Sequence, residues 1–361
     1  MKKSLPFAFL LIVLLFGCSN SEPEPARESE LTEDKETVAR PAEVEVVAEN
    51  LDIPWSINRL DGTFYISERP GTIMKIQNGR QTRQKVNLKK KVSTASEAGF
   101  LGFVLAPDFR DTGRAYAYYT YENETGQFNR IVELLLRDDE WQETRLLLDK
   151  IPSGNVHHGG RLKIGPDGKL YATTGDATEP ESAQDLDSLG GKILRLNLDG
   201  SIPEDNPFKG SYVHSYGHRN SQGMAWDEDG TMYATEHGPS AHDEINRISP
   251  GKNYGWPIIT GTQRKPELEA PIFESGEETW APSGMAAANG KLYVAGLRGN
   301  AVLEFNLETG NIREAVSGLG RIRDVMIDGD YLYFVSNNTD GRGVPGPNDD
   351  KLYRIPLADL Q

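Results

Sequence analysis

The stretch Asp167-Gly168-Lys169-Leu170-Tyr171 sets out a pattern that the chain repeats: a turn built on Asp or Asn with Gly, then an apolar residue and a tyrosine. Copies stand at Asp61-Gly62-Thr63-Phe64-Tyr65, Asp229-Gly230-Thr231-Met232-Tyr233, Asn289-Gly290-Lys291-Leu292-Tyr293 and Asp328-Gly329-Asp330-Tyr331-Leu332-Tyr333. A weaker one is Thr112-Gly113-Arg114-Ala115-Tyr116. The tyrosines at 65, 116, 171, 233, 293 and 333 are 40 to 62 residues apart. Gly and Asn accept the positive φ of tight hairpin turns, and β-branched and aromatic residues after them suit a pleated, half-buried surface. Further strands are predicted at 74–77, 193–198, 244–248 and 302–306, and no long segment carries helical periodicity. Six units of strand and turn predict an all-β fold, a six-bladed β-propeller with four-stranded blades around a central channel. A solenoid would need capping repeats that the sequence lacks, and a pair of sandwiches is the other arrangement open to it. Ring closure is expected between Val44 to Ala48 and the last blade near Lys351 to Ile355.

The 361 residues are 37% hydrophobic and 26% charged, enough to bury a large core. A net charge of −15 repels polyanions, so no nucleic-acid partner is expected. The single cysteine rules out an intrachain disulfide, a multi-cysteine zinc site and a Cys-x-x-Cys-His haem attachment. That residue, Cys18, follows a basic start at Lys2 and Lys3 and an apolar run from Leu5 to Phe16. The run falls short of the roughly 20 apolar residues that span a bilayer. It resembles a bacterial lipoprotein signal, which implies a signal peptide over 1–17 and lipidation of Cys18; a plain secretory signal is the alternative. Either reading exports the protein, and the first anchors it to the extracytoplasmic face of the membrane through lipid alone. Residues 18–41, rich in Glu, Ser and Pro, read as a flexible acidic tether, and the catalytic domain is expected over 42–361.

All six histidines (His157, His158, His214, His218, His237 and His242) lie in the middle of the chain. In Asn155-Val156-His157-His158-Gly159-Gly160-Arg161, two glycines permit close backbone approach, and Asp176 at the end of the next hairpin is placed to orient an imidazole. A histidine held by a carboxylate is the usual construction of a general base, although on spacing alone a hydrogen-bonded loop histidine reads first. Gly217-His218-Arg219-Asn220-Ser221-Gln222-Gly223 gathers a guanidinium and two amides suited to a planar, multiply oxygenated anion, with a solvated loop as the alternative. The oxygens of Glu236-His237-Gly238-Pro239 and Asp243-Glu244, backbone carbonyls included, suit a hard cation such as calcium, without the spacing of a regular calcium loop. Arg321 and Arg323 fall on one side of a strand, either beside a buried anion or on an exposed edge.

Taken in order from about Leu51 to Pro356, these segments resemble the quinoprotein glucose/sorbosone dehydrogenase family. Ile53-Pro54-Trp55-Ser56, Glu97 to Gly102, Pro282 to Met285 and Asp349 to Arg354 add to the match. The resemblance implies a six-bladed propeller that binds pyrroloquinoline quinone (PQQ) and calcium and oxidises an aldose hydroxyl. Its catalytic base is the first histidine of His-x-x-Gly-Arg, hence His157, with Asp176 as acidic neighbour. Its quinone-binding Arg-Asn-x-Gln falls on Arg219, Asn220 and Gln222, its paired arginines on Arg321 and Arg323, and a polar and a basic quinone neighbour on Glu97 and Arg298. Calcium is implied on the carbonyls of Gly238 and Pro239. With no haem motif, electrons are expected to pass to an external acceptor. The segment from Trp280 to Ser283 is shorter than the family's, so one further quinone contact is left unplaced. Two other classes fit a propeller: a calcium-dependent sugar lactonase, which needs side-chain metal ligands converging on the axis, and a non-catalytic surface propeller that binds sugar or protein.

Overall fold

A computed structural model describes residues 44–360; Cys18, the signal segment and the whole tether lie outside the described residues. The turn-and-tyrosine pattern forms as read. At the first copy Asp61 and Gly62 both take positive φ, 49° and 77°, and reverse the chain between Pro54–Leu60 and Thr63–Glu68. Each repeat tyrosine lies in the second strand of a four-strand antiparallel run and is buried. That position faces neighbouring strands on both sides, which is where a large amphipathic ring buries most area.

Among the described residues the strands form four sheets of four and one of eight. The eight-stranded sheet is two meanders, Pro54 to Asn87 and Phe100 to Pro152, joined by a short parallel pairing of Val86 with Trp141 and Asn87 with Gln142. Four-stranded units were expected throughout, and the join has a side-chain cause. Trp141 is wholly buried, packs edge-on against Phe103 and Tyr65 with centroids 5.2 and 6.0 Å away, and donates its indole N–H to Gln84 Oε1 at 2.9 Å. Truncating such a residue to Ala removes roughly 3–5 kcal/mol. In the last sheet Glu45–Ala48 pairs antiparallel with Leu352–Pro356, as expected, so the first described strand completes the sheet of the last three.

Successive runs meet one another, mainly at their first strands. Ile57 N–H donates to Asp324 Oδ2 at 2.8 Å, Asn58 Nδ2 to the Phe103 carbonyl at 2.9 Å, Arg161 Nε to the Gln222 carbonyl at 2.8 Å and Thr235 Oγ1 to the Ser283 carbonyl at 3.0 Å. These bonds join runs up to 267 residues apart. Buried polar groups satisfied in this way fix the runs in register with each other. Among the described residues helix is confined to Phe109–Thr112 and two 3₁₀ turns, Pro180–Ala183 and Leu357–Leu360.

Candidate functional site

The first strands begin at a common cavity of about 150 Å³. Trp55, Leu101, Gly159, Gln222, Ala281 and Arg323, each at or just before the start of a first strand, contribute to its wall. Residues just past the second strands complete it, among them Arg69, His237, Leu297, Arg298 and Asp340. Five guanidiniums (Arg69, Arg298, Arg321, Arg323, Arg342) face two carboxylates (Glu97, Asp340), leaving three positive charges in a chain whose net charge is −15. Such a wall concentrates an anionic ligand.

On one side lie Arg321 and Arg323, only 8% and 7% exposed. Arg321 donates Nη1 to the Leu297 carbonyl at 3.0 Å and Nη2 to Asp340 Oδ2 at 2.9 Å. Arg323 donates Nη1 to Gln222 Oε1 at 2.9 Å, and Nε and Nη2 to Asn337 Oδ1 at 3.1 and 2.9 Å. Burial brings the Arg323 guanidinium down to about 9, opposed by Asp340 and reinforced by the neighbouring arginines. Ile322–Asp328 is an edge strand in its sheet, but the exposed edge that would carry two arginines harmlessly is not what forms. Several buried nitrogens about this site have no protein partner: Arg321 Nε, Arg219 Nε, His237 Nε2 and His158 Nε2. Buried unpaired donors and acceptors are costly, and several in one place mark where a polar ligand belongs.

On another side His157 Nδ1 donates to Asp176 Oδ1 at 2.7 Å. Asp176 is wholly buried, whereas the His157 side chain keeps 16% exposure. His157 sits at φ 65°, and its carbonyl would lie 1.8 Å from a Cβ on residue 175, so only glycine at 175 lets the two loops pass. Glu97 accepts the His157 N–H at 3.2 Å and the Arg342 guanidinium at 2.6 Å. Burial works to raise Glu97, but Arg342 and the His157 N–H outweigh it and hold the carboxyl at about 2. His158, not His157, is in the cavity wall, and its Nδ1 lies 2.9 Å from Ser153 Oγ rather than on a carboxylate. Burial depresses His158 to about 4, so it stays neutral.

The Arg219 segment joins these sides. Arg219 Nη1 donates to the carbonyls of His237 and Gly238 at 3.1 and 2.8 Å, Asn220 Oδ1 accepts from Gly159 N–H at 3.0 Å, and Gln222 takes Arg323. The carboxylates once open to a cation are committed elsewhere. Glu236 accepts the N–H groups of Arg219 and Asn220 at 2.7 and 2.6 Å, and Asp243 accepts those of Gly238, Trp280 and Ala281 at 2.9, 2.7 and 2.8 Å. Glu244 accepts Gly261 N–H at 2.9 Å, and burial beside Glu236 raises it to about 7. Among the described residues no group of three His, Cys, Asp or Glu side chains is placed to hold a metal ion. The backbone carbonyls of Gly238 and Pro239 are the oxygens of this segment left for a cation, and that of Gly238 already accepts the Arg219 guanidinium at 2.8 Å.

Of the six histidines, His157, His158 and His237 are at the site. His218 is a core residue paired with Glu236 at 2.9 Å, His214 packs on Tyr171, and His242 pairs with Glu274 at 2.5 Å. Trp280 packs on Phe305 at 5.1 Å, while the tryptophan in the cavity wall is Trp55. Arg69, Arg342, Asp340 and Trp256 escaped the sequence reading. The repeat itself carried a signal for two of them: Arg69 and Asp340 occupy the stretch just past a second strand, as His237 and Asp176 do.

Fold and site together define an all-β scaffold with a cationic cavity beside a histidine–carboxylate pair. Residues 51–353 match the Glucose / Sorbosone dehydrogenase family, and the chain belongs to that family. It is 32% identical over 337 residues to the aldose sugar dehydrogenase YliI of Escherichia coli K12, covering 82% of this chain and 91% of that protein. The PQQ-bound form of aldose sugar dehydrogenase from Streptomyces coelicolor matches with a TM-score of 0.81 at 37% identity, covering 87% of this chain and 98% of that one. A glucose dehydrogenase oxidoreductase of Thermus thermophilus matches with a TM-score of 0.81 at 41% identity, covering 87% and 99%.

Proposed function

We propose that this protein is a PQQ- and calcium-dependent aldose dehydrogenase, built as one six-bladed β-propeller over residues 42–361, which converts an aldose to its lactone and passes electrons to an external acceptor. The observation that carries the reading is the three-charge cationic excess, with unpartnered buried nitrogens, beside His157 and Asp176. The cavity's place at the start of every first strand, with the closing strand Glu45–Ala48, supports the six-bladed ring.

The donor set fits the quinone. Arg321, Arg323, Arg298 and Arg219 would hold its carboxylates and carbonyls, with Asn220, Gln222 and Glu97 around them, and the carbonyls of Gly238 and Pro239 would supply oxygens to calcium. When bound, PQQ supplies the two-electron acceptor and calcium the charge that makes it electrophilic. Asp176 accepts only, so it fixes the proton of His157 on Nδ1 and leaves Nε2 basic. That nitrogen takes the hydroxyl proton of the sugar, and Asp176 stabilises the imidazolium so formed. The Glu97–Arg342 pair closes one side of the site and holds the backbone of the His157 loop.

We extend the proposal to the N-terminus: Cys18 carries lipid and residues 18–41 tether the domain outside the cell, where Cys18→Ser would release it from the membrane fraction. Stable retention would require more than one acyl chain. The function is tested by titrating purified protein with PQQ and calcium, then screening aldoses with an artificial acceptor. Quinone-dependent aldose oxidation is the expected result; lactone hydrolysis without quinone would overturn the reading.

A further inference from the structure

The proton-accepting pair uses one oxygen of Asp176, and the other is held from a distant part of the chain. Oδ1 accepts from His157 Nδ1 at 2.7 Å and from Thr178 N–H at 2.9 Å, while Oδ2 accepts from the Trp256 indole N–H at 2.8 Å. Trp256 lies 80 residues further on, in the segment after Glu244–Ile248. Its backbone is pinned at both ends: its N–H donates to the Gly217 carbonyl at 2.9 Å, and its carbonyl accepts Gln184 Nε2 at 2.5 Å. Gln184 is itself fixed by Asn253, whose Nδ2 donates to Gln184 Oε1 at 2.8 Å.

Asp176 is wholly buried, and a buried carboxylate keeps its place only where donors meet both oxygens. Among the described residues Trp256 is the sole side-chain or backbone donor to Oδ2. Held by Oδ1 alone, the carboxylate could turn about its last torsion and offer His157 either oxygen in a range of orientations. We infer that Trp256 is a positioning residue: its indole N–H locks the Asp176 carboxylate so that Oδ1 faces His157 Nδ1. This rests on the reading of His157 as the base. The other charged or titratable groups facing the pair are Glu97, which accepts the His157 N–H, His158, and Arg219, whose guanidinium lies 5.3 Å from the Trp256 ring centre.

The test is a double-mutant cycle with Trp256→Phe, which keeps an aromatic ring near Arg219 and deletes the N–H together with the five-membered ring of the indole, against Asp176→Ala. Trp256→Phe is expected to lower kcat on the order of tenfold, as for loss of one hydrogen bond to a charged group, with KM for the sugar and PQQ affinity within about twofold. In the Asp176→Ala background the same change is expected to cost less than about twofold, because residues acting through one another are not additive. Equal losses in both backgrounds would overturn the inference and leave Trp256 a packing role. A readout free of turnover runs beside it: in the quinone-free protein the Trp256 indole N–H resonance is expected well downfield, moving upfield in Asp176→Ala, and an unmoved resonance overturns the inference even if Trp256→Phe folds poorly. Failure of the base reading is distinguishable, because then Asp176→Ala alone would leave turnover intact.

Discussion

Two sides of one cavity use charge in opposite ways. The Arg321 and Arg323 side is static: guanidiniums are buried on Asp340, Asn337 and Gln222, with Arg321 Nε left over. On the His157 side, which the proposed function assigns to proton transfer, Nδ1 is tied to Asp176, both Asp176 oxygens are occupied and the imidazole is still partly exposed. The difference teaches a division of labour. Charge that only binds can be locked by burial, whereas a group that gains and loses a proton needs one committed nitrogen, one free nitrogen and a carboxylate that cannot wander.

Substitutions can break or sharpen that division. His157→Ala is expected to lower kcat on the order of 10²- to 10⁴-fold at saturating acceptor. Arg323→Met is expected to act on the other side, weakening PQQ affinity on the order of 10²-fold in direct titration, as for loss of charge-assisted bonds, while kcat at saturating quinone falls far less. Asp176→Asn should fall between His157→Ala and its neighbour, because an amide can still bond His157 but no longer stabilises the imidazolium. His158→Ala is the sharpest control in steady-state rates: it shares the loop and reaches the cavity wall, yet lacks a carboxylate, and about threefold or less is expected for a neutral bonded side chain. A larger loss there than in His157→Ala would move the base by one residue.

The smallest effect concerns the contact that braces the His157 loop. Glu97 has its folded-state pKa depressed from 4.5 to about 2, so its stabilising contribution is complete above 4.5 and is lost as pH falls through 2. Arg342→Ala removes a main source of that depression and brings the loss to higher pH. Acid unfolding followed by circular dichroism should show the midpoint displaced upward by less than about one pH unit, with little change near neutrality.

The fold was legible because its signal is local and periodic: Asp-Gly or Asn-Gly turns and the tyrosine after them say the same thing five times, with a weaker Thr-Gly copy, and the closing pairing of Val46 with Tyr353 follows from a ring needing an end. The short parallel join at Val86 and Trp141 was not, since it depends on one tryptophan meeting Tyr65 and Gln84 of the neighbouring meander. The site was legible where residue types cluster within a few positions, as at His157, Arg219 to Gln222 and Arg321 to Arg323. Arg69, Arg342 and Trp256 are single residues in ordinary loops. They matter because the first strands bring remote loops together, as when Arg342 reaches Glu97 across 245 residues. Such convergence has no local signature in the chain.

The central claim, that one side binds and the other moves a proton, is tested most directly by titrating PQQ with calcium into the wild-type protein and into His157→Ala, and measuring aldose oxidation on the same samples. Equal quinone affinity with turnover lost in the variant is the predicted result. Loss of quinone binding in His157→Ala, or quinone bound by both proteins with turnover intact in the variant, would contradict it.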